Sequence, residues 1–530
     1  MAKYFSTAGP CRPEHNYMLP AVPRVAALRP LIDRGEYFVV HAPRQAGKTT
    51  SLRALAEVLT AEGRYVALHT SCETGQLEEP NLDLSINGIL AALRLQAEHA
   101  LPEELRPPAT DPEQPPTARL LDLLTRWASA CPRPVVLFLD EIDALFDDAL
   151  ISVLRQLRSG YPSRPGHFVH SVALIGLRDV RDYRLGSSKE AERLGTASPF
   201  NIKSDSLRLP NFTESEVGAL YAQHTDATGQ VFAPGVTERV TELTDGQPWL
   251  VNALARQLVE TVASSPEDDI TVDHLDLAQE ILIRRRDTHL DSLLDRLREP
   301  RVRRVLEPML AGEPPNADAL DDDYRFVEDL GLIKLGENGL EIANPIYREI
   351  IPRALTTVAE NFVPMRRASY IEENGRLSWP ALLDGFADFW KTNAEWMLRQ
   401  QPYSEAAAQL TFMAFLHRLV NGLDLEGRSA IATVDREYAV GRGRVDILVR
   451  WPLPDGRIQR FAAELKVRRD RDGDPLEEGL LQLSGYLTRL GLDNGTLVLF
   501  DLRTEAPPLA DRVSRAEVLH AGRRIDVLRL

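Results

Sequence analysis

The stretch YFVVHAPRQAGKTTSLRALAEVL, residues 37–59, decides how the first part of this chain folds. YFVVH is a short apolar run that suits a buried strand. Leu52, Leu55, Ala56 and Leu59 then recur at i, i+3, i+4 and i+7, the spacing of one helix face. Between them APRQAGKTT, at 42–50, follows the phosphate-loop pattern of glycine, four residues, Gly-Lys and Ser or Thr, except that Ala42 replaces the first glycine. The spacing has a chemical reason. Backbone N–H groups of the loop and of the helix N-terminus converge on phosphate oxygens, and Gly47 lets the backbone come close. Lys48 adds a point charge and Thr49 a hydroxyl ligand for Mg2+, while Pro43, Arg44, Gln45, Ala46 and Thr50 complete the lining.

Working outward, YVALH at 65–69, VVLFLD at 135–140 and SVALIGL at 171–177 are further strand candidates. LPEELRPPATDPEQPPT, at 101–117, carries too much proline for a helix or central strand and reads as an exposed connection. VVLFLD is apolar up to its final acid, as in a parallel strand buried on both faces. Strands alternating with helical patterns predict a parallel α/β sheet covered on both sides. Asp140, at the C-terminal end of such a strand, can hold the hydration shell of Mg2+, and Glu141 after it can orient and polarise an attacking water.

Pro43, Arg44, Gly47, Lys48 and Thr49 make this segment resemble the phosphate loop of STAND/AAA-like ATPases, written Gly-Pro-Arg-x-x-Gly-Lys followed by Ser or Thr. The resemblance implies ATP and Mg2+ as cofactors. Ala42 departs from the pattern, which makes nucleotide binding a firmer expectation than hydrolysis. The resemblance also places Arg178, in GLRDVRDYR, where a sensor residue faces the γ-phosphate, although a surface arginine would read the same. Gly246-Gln247-Pro248 looks like the element whose proline, Pro248 here, lies near the adenine; a plain helix-breaking turn has the same sequence.

From Leu209 to Thr261 the pattern turns helical, opening on a Thr213-x-x-Glu216 capping box, and looks like the helical lid of AAA-like ATPases. Between 286 and 355 helices lead to LIKL and LEIA flanking the turn GENG, a hairpin that suggests a winged helix. The expected order is an ATPase core at 1–208, a lid at 209–285, a winged helix at 286–356, a helical linker at 357–402 and a second α/β domain at 403–530.

That last domain carries a second acidic site. REYAVGRGRVDILVRWPLPDGRIQRFAAELKV, at 436–467, places Asp446 on one apolar strand and Glu464 and Lys466 on the next. Alternation along a strand points Glu464 and Lys466 to one face and Leu465 to the other. If the strands are neighbours, Asp446 joins them. Converging carboxylates invite Mg2+ or Mn2+, which could activate water against a phosphodiester while Lys466 stabilises the nucleophile or the phosphorus. Gln482 and Tyr486 follow at i and i+4 of a helix, able to orient Lys466.

This arrangement resembles the PD-(D/E)XK nuclease superfamily, and more closely the nuclease-like domains attached to AAA-like ATPases in bacteria. Asp446 takes the first acid, Glu464 the second, Lys466 the lysine, and Gln482 to Tyr486 the QxxxY element; Glu405 is a weaker candidate for an early acidic position. Val445 stands where the motif's name has proline. The resemblances together imply a restriction-endonuclease-like domain coupled to an ATP-binding and ATP-hydrolysing regulator. It would act on DNA rather than RNA, in defence or mobile-element biology, with a homo-oligomer among the possible assemblies. The alternative is a nucleotide switch whose last domain binds DNA or protein without cleaving it.

Composition narrows the field. At 530 residues several cores are expected, and 44% hydrophobic with 26% charged residues leaves no room for a dominant disordered tract. Cys11, Cys72 and Cys131 are far apart and in no CxxC spacing, which indicates neither a disulfide framework nor a zinc site. A formal charge of −16 argues against coating nucleic acid nonspecifically, so any such contact is local. Arg442, Arg444, Lys466, Arg468, Arg469 and Arg471 supply one basic cluster beside the acidic site. Arg284, Arg285, Arg286, Arg301, Arg303 and Arg304 form another, which interleaved acids explain equally well as a solvated helix face. No apolar run approaches the roughly 20 residues of a membrane span, and the first residues have no apolar signal core, so a cytoplasmic protein without membrane partners is expected.

Overall fold

The computed structural model describes residues 3–77, 79–111, 113–145, 147–178, 202–285, 293, 295–310, 322–336, 339–362, 370–400, 407–420, 432–440, 443–470 and 473–530. Glu405, Arg286, Arg442 and Arg471 lie outside the described residues. The chain divides into two compact units, Met1–Ala278 with Ala319–Lys334, and Gln279–Asp318 with Leu335–Leu530. Among the described residues no helix is long and apolar enough to cross a membrane.

The first unit is built on β1 (Tyr37–His41), β2 (Val66–Ser71), β3 (Val135–Asp140), β4 (Ser171–Gly176) and β5 (Lys203–Arg208), ordered β2-β3-β4-β1-β5 with every pairing parallel. Strand alternation sends Tyr37, Val39, Leu137 and Leu139 to helices Leu82–Ala100, Pro116–Ala130 and Asp147–Gly160. Phe38, Val40, Phe138 and Ile175 go to the opposite face, against Leu52, Leu55 and Leu59 of helix Lys48–Ala61. Each large side chain so buried contributes roughly 1.5–3 kcal/mol, which ties the phosphate loop to the sheet. The strand β4 separates β1 from β3, so the loop after β1 and the acid ending β3 stand two strands apart on one sheet edge.

The sequence reading has no strand at 203–208. KSDSLR carries no apolar alternation, and as the edge strand β5 it buries little, so pairing with β1 rather than burial makes it a strand. The segment expected to be a lid opens on the Thr213–Glu216 capping box, with both reciprocal bonds formed, at the head of helix Glu214–Thr228. Helices Val236–Thr244 and Pro248–Gln257 follow. Short strands β6 (Ile333–Gly336) and β7 (Gly339–Ile342) pair as the hairpin flanking GENG, and the division between units falls within β6.

The second unit holds a six-stranded sheet of β8 (Thr433–Val440), β9 (Gly443–Pro452), β10 (Ile458–Arg468), β11 (Asn494–Asp501), β12 (Ser514–His520) and β13 (Arg523–Arg529), ordered β12-β13-β11-β10-β9-β8. β8, β9 and β10 run antiparallel in turn, β10, β11 and β13 run parallel, and β12 is antiparallel to β13. The parallel step from β10 to β11 requires a crossover, supplied by helix Leu476–Leu490. Its Leu480, Leu483 and Leu487 pack on Leu448, Ala462, Leu497 and Leu499. Helix Trp379–Gln400, inside the stretch read as a linker, packs Phe386 and Trp390 with Ile447, Ala463, Leu465 and Phe500 on the other face.

Gly246, ahead of Pro248, has φ +67, and a Cβ there would come 1.9 Å from the Phe212 carbonyl oxygen. Gly246→Ala is expected to cost about 2–4 kcal/mol, read as a lower denaturant midpoint for the first unit. An unchanged midpoint would contradict this close approach.

Candidate functional site

In the first unit the loop after β1 turns into helix Lys48–Ala61 at Gly47, whose φ of +87 suits glycine. Ala42 is fully buried and is not among the residues with positive φ, so its methyl group strains no backbone there. Lys48 Nζ donates to the carbonyls of Ala42 at 2.6 Å and Pro43 at 2.9 Å. Burial pulls this ammonium down to about 8, against the opposing pull of Asp140 and Asp143. Thr49 Oγ1 donates to Asp140 Oδ2 at 2.7 Å, and His69 Nε2 lies 2.9 Å from the same oxygen. Burial pushes the Asp140 carboxyl up, but the interactions with His69, Thr49 and the Glu141 N–H outweigh it and hold the group below its ordinary value. The Thr49 hydroxyl and Asp140 carboxylate are the hard oxygen donors Mg2+ takes, so this pair fits the ion.

Glu141 sits at φ +54, a strained conformation for a residue with a side chain, and its carboxylate accepts from Ser71 Oγ. Partial burial raises its pKa above the usual value, with the neighbouring acids adding to the effect. Arg44 and Gln45 are exposed on the loop and Ala46 is buried. Thr50 Oγ1 accepts the Cys11 N–H at 3.3 Å, and Trp249 Nε1 donates to Thr7 O at 2.8 Å. The N-terminal segment therefore straps helix Lys48–Ala61 to helix Pro248–Gln257. Pro248 is buried at the first turn of its helix, where Gln247 caps the Leu250 N–H at 2.6 Å.

Arg178 is 5% exposed, which excludes the surface-arginine reading. Its Nε donates to Asp329 Oδ2 at 3.3 Å, and its guanidinium lies 4.9 Å from the Phe326 ring centroid. His41 Nδ1 is 3.6 Å from the other Asp329 oxygen, and Arg208 pairs with Glu328 at 3.3 Å. Helix Asp322–Asp329 thus meets basic groups from the C-terminal ends of β1, β4 and β5. Just beyond it, a Cβ at Gly331 would come 2.6 Å from Pro43 Cγ. Sequence reasoning missed Asp329, Phe326, His41 and His69, since nothing local marks residues paired across such long separations.

In the second unit the register pairs Ala463 with Ile447, which makes Glu464 and Asp446 the next in line on adjacent strands. Leu448, Ala462 and Leu480 pack together beneath this face, while Leu465 enters the opposite core as expected. Asp446 Oδ2 accepts the Leu465 N–H at 2.7 Å. Glu464 is 2% exposed, and its Oε2 is buried without a hydrogen-bond partner. Burial, with Asp446 adding to it, pushes the Glu464 carboxyl up to about 9. Lys466 Nζ stands 3.7 Å from Glu464 Oε1 and donates to Glu478 Oε1 at 3.0 Å. Gln482 Oε1 is also buried and without a hydrogen-bond partner, with its Nε2 at 3.5 Å from the Tyr486 hydroxyl.

Among the described residues no group of three or more His, Cys, Asp or Glu gathers around one point. Mg2+ keeps several waters and needs only one or two carboxylates, so Asp446 and the unsatisfied Glu464 oxygen fit such an ion. Glu478 is the residue sequence reasoning missed here. It lies four positions before Gln482, on the same helix face as Tyr486, a spacing that could have marked it.

Residues 24–169 match the AAA ATPase domain family. Among solved structures, the chain is similar to a Walker-type ATPase of Pyrococcus abyssi, with 13% identity, 66% of this chain and 99% of that one covered, and a TM-score of 0.46. The ORC2 protein of Aeropyrum pernix, in ADPNP–ADP complexes, has 14% identity, 63% and 92% coverage and a TM-score of 0.40. The RuvB Holliday junction branch migration motor of Thermotoga maritima has 17% identity, 62% and 92% coverage and a TM-score of 0.34. No curated protein matches the chain. The first unit is a P-loop ATPase core with a five-stranded parallel sheet, which supports ATP binding, and the mixed six-stranded sheet is separate from it.

The raised Glu464 carboxyl has a consequence for stability. Between its ordinary value and about 9 the folded chain keeps a proton that the unfolded chain has released, so stability falls as pH rises through this window. Glu464→Gln removes that loss. In EDTA its unfolding midpoint should match wild type at acid pH and exceed it increasingly from neutral toward pH about 9. A difference that does not vary with pH would contradict the buried, protonated carboxyl.

Proposed function

We propose that this chain is an ATP-binding and ATP-hydrolysing regulator whose second unit cleaves phosphodiester bonds in DNA with Mg2+, or Mn2+, as cofactor. The observation that carries the hydrolytic half is Glu464, buried beside Asp446 with one oxygen unsatisfied, on the face that also bears Lys466. Such a pair is costly to keep without a cation, and a divalent ion resolves it. When bound, the ion supplies charge neutralisation and an acidified water. Asp446 and Glu464 hold it, and the Leu465 N–H fixes the orientation of Asp446. Lys466 donates to the attacking oxygen or to the phosphate, and Gln482 and Tyr486, 3.5 Å apart on the helix, take the orienting role in this reading.

In the first unit Lys48, Thr49 and Asp140 hold the triphosphate and its Mg2+, while Glu141 orients the attacking water. Pro43, Arg44, Gln45, Ala46, Gly47 and Thr50 line the phosphates, and Pro248 lies toward the base. A γ-phosphate competes with Asp329 for Arg178, so segment 322–334, packed against Pro43, responds to nucleotide state. From Lys334 the chain runs directly into the second unit, which offers a covalent route for that response. One observation favours a second reading, a nucleotide switch whose second unit binds DNA or protein without cutting. Lys466 is engaged by Glu478, and an Asp446 oxygen by a backbone N–H.

Supercoiled, linear and single-stranded DNA incubated with the purified chain, Mg2+ or Mn2+, with and without ATP, tests the proposal. Cleavage is expected, lowered more than about 100-fold by Asp446→Ala and made insensitive to ATP by Lys48→Ala. Identical behaviour of wild type and Asp446→Ala on every substrate sinks the hydrolytic reading.

A further inference from the structure

Lys466 is held from two sides by carboxylates of very different standing. Glu464 is buried in the sheet, whereas the Glu478 side chain is 73% exposed, in the first turn of helix Leu476–Leu490. The exposed partner is nevertheless the nearer, at 3.0 Å against 3.7 Å. Glu478, Gln482 and Tyr486 recur at i, i+4 and i+8, which aligns them along one side of the helix. The contact therefore lies on the helix side that carries Gln482 and Tyr486.

We infer that Glu478 is a positioning residue for the proposed reaction, an internal stand-in for the substrate phosphate that occupies the solvent side of Lys466 until DNA displaces it. The inference rests on the reading that a DNA phosphate reaches Lys466. A carboxylate oxygen and a phosphodiester oxygen are both anionic acceptors for an ammonium group. The Lys466 side chain is 20% exposed but its Glu478 partner is open to solvent, and a pair screened in this way contributes only about 1 kcal/mol, so it orders the lysine yet yields to a competing anion. The buried Glu464 oxygen, in contrast, stays in place when solvent-side partners exchange. Glu478 thus holds Lys466 on its solvent side and sets a threshold that substrate must exceed.

The test is a mutant cycle on the full chain, measuring anisotropy of a short fluorescein-labelled DNA duplex with calcium in place of magnesium. Glu478→Gln is expected to tighten binding about fivefold, the loss of one competing carboxylate, while Glu477→Gln, its exposed neighbour on another side of the helix, changes it less than about twofold. The gain should vanish when Lys466→Met is present, and Glu478→Asp should restore part of the competition. In steady-state cleavage Glu478→Gln should lower KM by a larger factor than it changes kcat. Equal gains from Glu477→Gln and Glu478→Gln, a gain that survives Lys466→Met, or no duplex binding by any form would each overturn the inference. A cycle that holds while Asp446→Ala leaves DNA processing untouched would refute cleavage alone, so the two failures are distinguishable.

Discussion

A carboxylate buried next to another carboxylate needs something to take up the charge, and the second unit is organised around that constraint. Antiparallel β9 and β10 bring Asp446 and Glu464 into line, and strand alternation turns both from the aromatic core toward helix Leu476–Leu490. Leu448, Ala462, Leu480 and Leu483 form the apolar cluster on this side of the sheet, and the Glu464 Oε2 is buried. A proton, a lysine or a divalent ion can balance that charge. Burial raises the Glu464 carboxyl and Lys466 lies 3.7 Å from it, while the divalent ion belongs to the proposed reading.

The same logic recurs in the first unit. Asp140 is as buried as Glu464, but three hydrogen-bonding neighbours keep it ionised where Glu464 keeps its proton. Each unit also pairs its functional cations with internal acceptors. Lys48 rests on two loop carbonyls, Arg178 on Asp329 and Lys466 on Glu478. Each of these three cations is thus already held by an oxygen acceptor of the chain itself. Arg178 is the most informative of these, because its partner lies on the segment that leads directly out of the first unit.

Much of this was legible from residue order alone. The phosphate loop, the acid ending β3 and the capping box at Thr213 are local patterns, and each requires only its own few residues to be recognised. The shared face of Glu464 and Lys466 was also legible, since alternation along a strand is local. Edge strand β5 was not, because hydrogen bonding to β1 substitutes for an apolar pattern. Nor were the partners that complete the sites. Asp329 meets Arg178 across 151 positions, and His69 meets Asp140 across 71, separations over which sequence carries no spacing rule. Glu478 was nearer to hand, one helical turn from Gln482, but an acid in the first turn of a helix has an ordinary explanation in the helix dipole.

Anomalous diffraction from crystals of the full chain grown with Mn2+ tests the central claim most directly. The account predicts a peak in the second unit about 2.0–2.4 Å from carboxylate oxygens of both Asp446 and Glu464, lost in Asp446→Ala. A well-ordered site with no peak between those two side chains, at Mn2+ concentrations that fill the Thr49–Asp140 site, would contradict it.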